Sequence, residues 1–180
     1  MPLFIGACQD KKYRQEFLSM KHTLSVLVEN EPGALSRITG LFSGRGFNIE
    51  SLCVAPTLDK TMSHLTLVTS GDEYIIEQII KQLNRLVDVY KVVDVSEGEF
   101  VEREMALIKV KAEDETRAEV LRMCDIFRCK VVDVSPKTYT IEVTGPESKL
   151  RAVTELLYPL GIKEITSTGT IAIQREKKTV

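Results

Sequence analysis

The chain has 180 residues, 43% of them hydrophobic and 28% charged, and its formal net charge is −2 at pH 7. This balance has no basic excess, which argues against a nucleic-acid partner. No stretch approaches the roughly 20 apolar residues of a membrane-spanning helix, and the apolar first seven residues lack the basic region of a secretory signal, so we expect a cytoplasmic protein without membrane contact.

The first regular pattern begins at Met20, which is a candidate for the true start of the chain. We interpret residues 1–19 as an N-terminal extension, disordered or upstream of that start, with a docking helix as the alternative. In residues 22–29 the apolar side chains of Leu24, Val26 and Val28 alternate with others, and this period of two predicts a strand.

A helix is predicted after the junction Asn30-Glu31-Pro32-Gly33. Its apolar residues at helical spacing are Leu35, Ile38, Leu41 and Phe42. Gly44-Arg45-Gly46 then ends the helix, because glycine is common just past a helical C-terminus. Residues 47–57 and 62–70 are rich in β-forming side chains and flank a short polar turn, so they predict an antiparallel hairpin.

A second helix is predicted to open at Ser70-Gly-Asp-Glu73, which has the spacing of a capping box. Its apolar stripe consists of Ile75, Ile76, Ile79, Ile80, Leu83 and Leu86. A stripe of this width needs a sheet to cover it, and residues 88–96 supply a fourth strand. The order β-α-β-β-α-β is typical of a ferredoxin-like domain, in which two helices cover one face of an antiparallel sheet.

The same order recurs after a polar joint at residues 97–99. The predicted elements are a strand at 105–112, a helix at 115–127, strands at 130–135 and 139–144, a helix at 147–160 and a strand at 163–174. The last helix has Pro146 at its start, Gly161 just past its end, and one apolar face formed by Val153, Leu156, Leu157 and Leu160. The sequence therefore predicts an α+β protein with two tandem ferredoxin-like domains, residues 20–96 and 97–180.

Motifs for catalysis or metal binding are missing from the sequence. The four cysteines form no C-x-x-C pair and only two histidines could supplement them, so we expect thiols of a reducing compartment and no metal site. Phosphate-loop and dinucleotide fingerprints do not occur. A predicted helix begins at the acidic residues Glu113, Asp114 and Glu115, and their charges are explained by the positive end of its dipole. Neither His22 nor His64 has a recognisable nucleophile or acid beside it, so we predict no catalytic residue and no cofactor in this chain.

The junction before the first helix has the chemistry of a small-anion site. Pro32 suits an early helical position, and the unpaired N–H groups of Gly33, Ala34 and Leu35 can point toward a carboxylate at the positive helix end. Gly33 has no Cβ to block the approach, and the side chain of Asn30 can address both the ammonium and the carboxylate of an amino acid. From these residues alone, ligand binding and an ordinary capped turn are equally supported.

The stretch from Leu24-Ser-Val-Leu-Val-Glu-Asn-Glu-Pro-Gly-Ala-Leu to Arg45-Gly-Phe-Asn-Ile-Glu-Ser-Leu-Cys-Val-Ala-Pro56 resembles the N-terminal ACT domain of the acetolactate synthase small-subunit family. Further matches are Ser63-His-Leu-Thr-Leu-Val, Glu77-Gln-Ile-Ile-Lys-Gln-Leu and Val101-Glu-Arg-Glu104. The resemblance covers nearly all of residues 20–175, is weaker after about residue 112, and leaves residues 1–19 without a counterpart.

The resemblance implies a non-catalytic regulatory subunit in branched-chain amino acid biosynthesis. Its partner would be the large catalytic subunit of acetolactate synthase, which holds thiamine diphosphate, magnesium and FAD and condenses pyruvate with pyruvate or 2-ketobutyrate. The small subunit would activate this enzyme and let valine, or the related leucine or isoleucine, inhibit it.

The resemblance also implies a homodimer whose ACT domains pair edge to edge, with the effector between the chains. One chain would contribute Asn30, Gly33, Ala34 and Leu35 to the effector site, and the other Asn48 and Ile49. Four alternatives stay open: an ACT-domain sensor that regulates a different enzyme, a transcriptional sensor, a small enzyme, and a structural subunit without effector.

Overall fold

The computed structural model describes residues 20–176, and the predicted N-terminal extension lies outside this range. The described chain forms two compact units. Among the described residues, one unit consists of 20–100 and 172–176, and the other is Val101–Ile171. No helix within the described range is long and apolar enough to cross a membrane.

The first unit has the predicted β-α-β-β-α-β order. Its elements are β1 (Met20–Glu29), α1 (Ala34–Arg45), β2 (Ser51–Pro56), β3 (Met62–Gly71), α2 (Glu73–Leu83) and β4 (Val89–Asp94), followed by a 3-10 turn at Val95–Glu97. The four strands form an antiparallel sheet in the order β2-β3-β1-β4. This arrangement confirms the ferredoxin-like prediction for the N-terminal part.

One face of the first sheet forms the core with both helices. In β1, Leu24 and Val26 lie opposite Leu67 and Leu65 of β3, and all four are fully buried. The helices contribute Ile38, Phe42, Ile76, Ile79 and Leu83 to the same core. Each such side chain stabilises the fold by about 1.5–3 kcal/mol relative to exposure, and this burial fixes the register of β1 against β3.

The start of α1 differs from the prediction. The helix begins at Ala34 and has Gly33 as its N-cap with φ 92°, so Pro32 lies in the preceding turn and the early helical position predicted for it is wrong. The Ala34 N–H donates to the Glu31 carbonyl (3.2 Å), a turn that places Gly33 in the left-handed region. The predicted end is confirmed, because Gly46 is a left-handed C-cap.

The cap of α2 also differs from the prediction. Asp72 is the N-cap and its carboxylate accepts the N–H of Ile75 (2.8 Å), so the capping box predicted to start at Ser70 is wrong. Ser70 still belongs to β3, whose ladder with β1 continues to Gly71, and its hydroxyl donates to Glu50. At the other end of the unit, β4 stops at Asp94 because that carboxylate accepts the Ser96 N–H (2.9 Å) and starts the turn.

The second set of elements repeats the order of the first. It comprises β5 (Phe100–Lys111), α3 (Asp114–Phe127), β6 (Lys130–Val134), β7 (Thr138–Gly145), α4 (Glu147–Gly161), β8 (Ile162–Ser167) and β9 (Ile171–Gln174). The strands have the order β6-β7-β5-β8, and β9 also pairs with β5. The single strand predicted at 163–174 is therefore two strands, separated by a turn in which Gly169 has φ 76°.

The core of the second unit lies between its sheet and the helices α3 and α4. Ala106, Ile108, Val110, Val120, Ile141, Val143, Val153 and Leu157 are among its buried residues. The predicted apolar face of α4 is wrong at Leu156, which is 43% exposed, whereas Leu150 is buried. Leu150, Val153 and Leu157 share one side of the helix at its 3.6-residue period, and Leu156 is turned away by about 100° from its neighbour.

Candidate functional site

Asn30 is held in place by the hairpin turn between β2 and β3. Its backbone N–H donates to the Thr61 carbonyl (2.8 Å), and its side-chain Nδ2 donates to the Lys60 carbonyl (3.0 Å). Within residues 20–176 the side-chain carbonyl oxygen of Asn30 accepts no hydrogen bond. The exposed Asn30 therefore keeps a fixed acceptor that can receive an N–H from a ligand, such as an ammonium group.

The first turn of α1 follows directly and leaves backbone donors available. Gly33 offers no side-chain cap and the turn contains no acidic residue, in contrast to α2, which has Asp72 as its cap and Glu73 in its first turn. The first intrahelical bond runs from the Arg37 N–H to the Gly33 carbonyl (2.9 Å), so the N–H groups of Leu35 and Ser36 have no helical acceptor. This uncompensated positive helix end suits a carboxylate.

The structure changes the set of donors expected from the sequence. The Ala34 N–H is bound to the Glu31 carbonyl and Ala34 is buried, so its predicted role as a donor to a carboxylate is not supported by the geometry. Ser36, which was not singled out from the sequence, presents the next first-turn N–H after the half-exposed Leu35. Of the three predicted donors, Leu35 remains available in the first turn, and Ser36 takes the place of Ala34 because α1 starts later than predicted.

Arg37 is a further residue that the sequence reasoning missed. A Cβ on Gly33 would lie 3.0 Å from Nη1 of Arg37, so the guanidinium covers one side of this glycine. Nε and Nη2 of Arg37 both donate to the buried carboxylate of Asp88, the second at 2.6 Å. This bidentate bond raises the pKa of Arg37 and holds the pKa of Asp88 below its ordinary value. An arginine one turn after the glycine was the available signal.

Asn48 and Ile49 lie at the other end of the sheet. The Asn48 carbonyl accepts the Thr69 hydroxyl (2.6 Å), and Thr69 pairs with His22 near the start of β1. Asn30 lies eight residues beyond His22, which corresponds to roughly 26 Å along an extended strand. Asn48 is exposed and Ile49 is partly buried against the core. One chain therefore does not bring the two predicted halves of the site together.

The two histidines each have a polar partner that the sequence reasoning did not find. Nδ1 of His22 lies 2.6 Å from the Asp94 carboxylate, and Nε2 of His64 lies 2.8 Å from the Ser25 hydroxyl. Neighbouring strand positions point to opposite faces, so His22 lies on the helix-covered face of the sheet and Ser25 on the other. The Asp94 carboxylate consequently cannot orient His64, and the two pairs do not form a catalytic triad.

The cysteines of the described chain are sheltered thiols. Cys124 is buried, Cys53 and Cys129 are half-buried, and Cys8 lies outside the described range. Burial raises the pKa of Cys124 to about 11 and also raises the pKa of Cys129. Because the thiolate is the reactive form, the thiols of Cys124 and Cys129 are poor nucleophiles at neutral pH. Residues 20–176 contain no group of three or more His, Cys, Asp or Glu side chains that could hold a metal ion.

Comparison with known proteins connects these features to one family. Residues 24–91 match the family model described as AHAS small subunit-like ACT domain, and residues 103–176 match that of the small subunit of acetolactate synthase. The chain is 54% identical over 157 residues to the acetolactate synthase small subunit of Aquifex aeolicus, covering 87% of this chain and 82% of that protein. It is 51% identical to the Haemophilus influenzae small subunit, covering 89% of this chain and 99% of the relative.

A solved structure shows the same relationship. The crystal structure of the acetolactate synthase small subunit from Thermotoga maritima superposes with a TM-score of 0.81 at 42% identity, covering 88% of this chain and 99% of that one. The resemblance derived from the sequence is thereby confirmed over both units. This chain belongs to the acetolactate synthase small-subunit family and carries that family's ACT domain in its N-terminal part.

Proposed function

We propose that this chain activates the catalytic subunit of acetolactate synthase and allows valine, or a related branched-chain amino acid, to inhibit it. The observation that carries the proposal is the positive end of α1, which has no side-chain cap, beside the Asn30 side-chain carbonyl, which accepts no hydrogen bond from the described residues. The names of the relatives support a catalytic partner, since each is a small subunit of that enzyme.

The junction has complementary partners for both charged groups of an amino acid. The N–H groups of Leu35 and Ser36 and the helix dipole would bind the carboxylate, and the missing Cβ of Gly33 lets the Arg37 guanidinium lie close to this junction. The Asn30 side-chain carbonyl would accept from the ammonium group. Arg37 is engaged with Asp88, so its role in this proposal is to fix the turn and to add positive potential.

A second copy of the chain would complete the site. The Ser51 end of β2 is continuous with Asn48 and Ile49, whereas the Pro56 end lies opposite Ser63, on the side of the sheet where Asn30 is located. If two β2 strands pair antiparallel at their free edges, the Ser51 end of one copy meets the Pro56 end of the other. Asn48 and Ile49 of one chain would then approach the α1 junction of its partner.

The β2 edge is suited to such pairing. Its six residues are uncharged, and within the described chain it pairs only with β3. Native proteins usually protect an unpaired edge with charges, so an edge without them is consistent with a partner strand. We therefore retain the homodimer and the two-chain effector site as parts of the proposal.

Inhibition would follow from linkage between effector binding and subunit arrangement. If valine binds one arrangement of the dimer more tightly than the other, it shifts the population of dimers toward that arrangement. The size of this shift is limited by the difference between the two affinities. Couplings of this kind are about 1–3 kcal/mol. The condensation chemistry, with thiamine diphosphate, magnesium and FAD, would belong entirely to the catalytic subunit.

The test is acetolactate formation by the cognate catalytic subunit, alone and with this chain added, each across a valine titration. Stimulation by the chain that valine reverses is the expected result. Stimulation that no branched-chain amino acid reverses would contradict the effector part of the proposal, and an unchanged rate would contradict the pairing itself.

A further inference from the structure

The helical side of the first unit carries an open groove of about 560 Å³ between α1 and the end of α2. The residues that line this groove include Arg37, Gly40, Gly44, Arg45, Arg85 and Leu86. Gly40 and Gly44 form the floor, one helical turn apart, and the arginines surround it. The groove begins at Arg37, beside the effector junction, and extends to the C-terminal end of α1. None of Gly40, Arg45 and Arg85 makes a proposed effector contact.

The fold itself does not require the two glycines of the floor. Neither has a positive φ, and apart from its own turn of helix a Cβ built on either would meet no atom of the described chain within 4 Å. Glycine within a helix is less favourable than alanine because it loses more backbone freedom on folding. The missing side chains instead leave the α1 backbone open to close approach from outside the chain.

The groove also carries positive charge that no acidic side chain of the described residues neutralises at Arg45 and Arg85. Arg37 is paired with Asp88, but Arg45 donates only to the neutral Gln82 side chain (3.0 Å). Arg85 has no side-chain partner among residues 20–176, and no acidic residue of that range lines the groove. Guanidinium groups bind carboxylates through paired N–H donors, so Arg45 and Arg85 favour an acidic partner.

We propose that this groove docks a helix of the catalytic subunit that carries acidic side chains. Two glycines at a four-residue spacing admit a helix at short range, and the arginines at the rim select its charge. A second copy of this chain does not fit as the occupant, because a two-fold contact centred on the groove would set arginines opposite arginines. The inference rests on the proposed pairing with the catalytic subunit.

The experiment measures the dissociation constant of the complex between the full chain and the catalytic subunit by fluorescence anisotropy, at low and high salt. The Arg45→Glu/Arg85→Glu double variant is expected to weaken the complex at least tenfold at low salt, with a smaller difference at high salt. Arg151→Glu is a control for charge reversal outside the groove, because Arg151 is an exposed helical arginine of the second unit.

A steric variant tests the floor independently of charge. Gly40→Leu is expected to raise the Tm of the free chain, since leucine favours helix, while it weakens the complex at least tenfold. Calorimetry of valine binding to the free chain should match for wild type and variants, which separates docking from the effector site.

The outcomes distinguish this inference from the proposed function. If the wild-type chain binds and stimulates but the groove variants bind as tightly as Arg151→Glu, the groove inference is wrong and the proposed function stands. If the wild-type chain binds with groove-dependent affinity but does not stimulate, the proposed function is wrong and the docking surface stands. A wild-type chain that does not bind the catalytic subunit overturns both. If the groove variants lose the binding of inorganic pyrophosphate but still bind the catalytic subunit as wild type does, the groove is a small-anion site and the docking-helix inference is wrong.

Discussion

Arg37 connects the turn before α1 to the start of β4. Its guanidinium covers Gly33 and is bonded through two nitrogens to the Asp88 carboxylate. The backbone carbonyl of Asp88 accepts the N–H of Glu29 (2.8 Å), the residue that precedes Asn30. Any change that displaces Arg37 therefore disturbs the loop that presents Asn30.

Asn30→Ala should weaken valine binding without abolishing activation of the catalytic subunit. The change removes the proposed acceptor for the ammonium group, and a hydrogen bond to a charged group contributes about 1.5–3 kcal/mol, or on the order of a 10- to 100-fold change in affinity. Calorimetry with valine and the inhibition curve of the holoenzyme measure the effect. Asn84→Ala is the control, because Asn84 also donates its side chain to a backbone carbonyl, at the end of α2. Equal valine sensitivity of the two variants would remove Asn30 from the site.

Asp88→Asn should lower the free energy of unfolding at neutral pH. The pKa of Asp88 is lowered in the folded protein, so the ion pair stabilises the fold above the unfolded pKa of about 3.9 and this contribution is lost as pH falls through the folded value. The stability difference between wild type and Asp88→Asn is therefore expected to shrink below about pH 4. Urea unfolding from pH 7 to pH 3 measures it. Arg37→Gln should also lose less stability than wild type between pH 7 and pH 3, because it has no ion pair with Asp88 to lose. If Arg37→Gln loses as much stability as wild type over this range, the acid dependence comes from another group.

The chemistry of the junction could be predicted at the residue scale only in part. Asn30 and Gly33 could be proposed from the sequence because an amide and a missing Cβ have local meaning. The sequence did not indicate that the Ala34 N–H closes a turn onto Glu31, and Arg37 was missed because its partner Asp88 is distant in sequence. Contacts of that kind depend on the assembled sheet.

Strands and helices, at the scale of elements, followed from hydrophobic periodicity. The alternation in β1 and the stripe of α2 were sufficient because burial against one face decides both. The ends were less predictable, since they depend on single hydrogen bonds such as that from the Ile75 N–H to Asp72. The division of the last predicted strand into β8 and β9 depends on a turn at Gly169, and glycine alone does not show whether a strand bends or continues.

Val54→Lys should weaken self-association of the chain at least tenfold. Val54 is 43% exposed on the β2 edge, and across a two-fold axis the variant places a lysine on each of two adjacent strands. Sedimentation equilibrium measures the association, and circular dichroism checks that the fold is retained. Val132→Lys is the matched control, because Val132 is 51% exposed on β6, the edge strand of the second sheet. Loss of association in the control alone would move the dimer contact to the second unit.

The repeated β-α-β-β-α-β order was visible at the scale of the whole molecule, because each set of strands and helices has its own hydrophobic pattern. The proposed contact surfaces for other chains were not visible in the same way. The spacing of polar residues on a helix does not show whether its face is solvated or forms part of a groove. The groove of α1 is recognised only from the structure, which shows the open space beside Gly40 and Gly44.

The distance between Asn30 and Asn48 within one chain has a genetic consequence. If each effector site combines Asn30 of one protomer with Asn48 of the other, a mixed dimer of Asn30→Ala and Asn48→His chains has one doubly altered site and one intact site. Random mixing of the two chains would restore roughly a quarter of all sites. Two variants that each bind valine weakly should thus complement one another when co-expressed, as measured by valine binding to the mixed preparation. Absence of complementation would mean that both asparagines act within a single protomer or that neither contacts the effector.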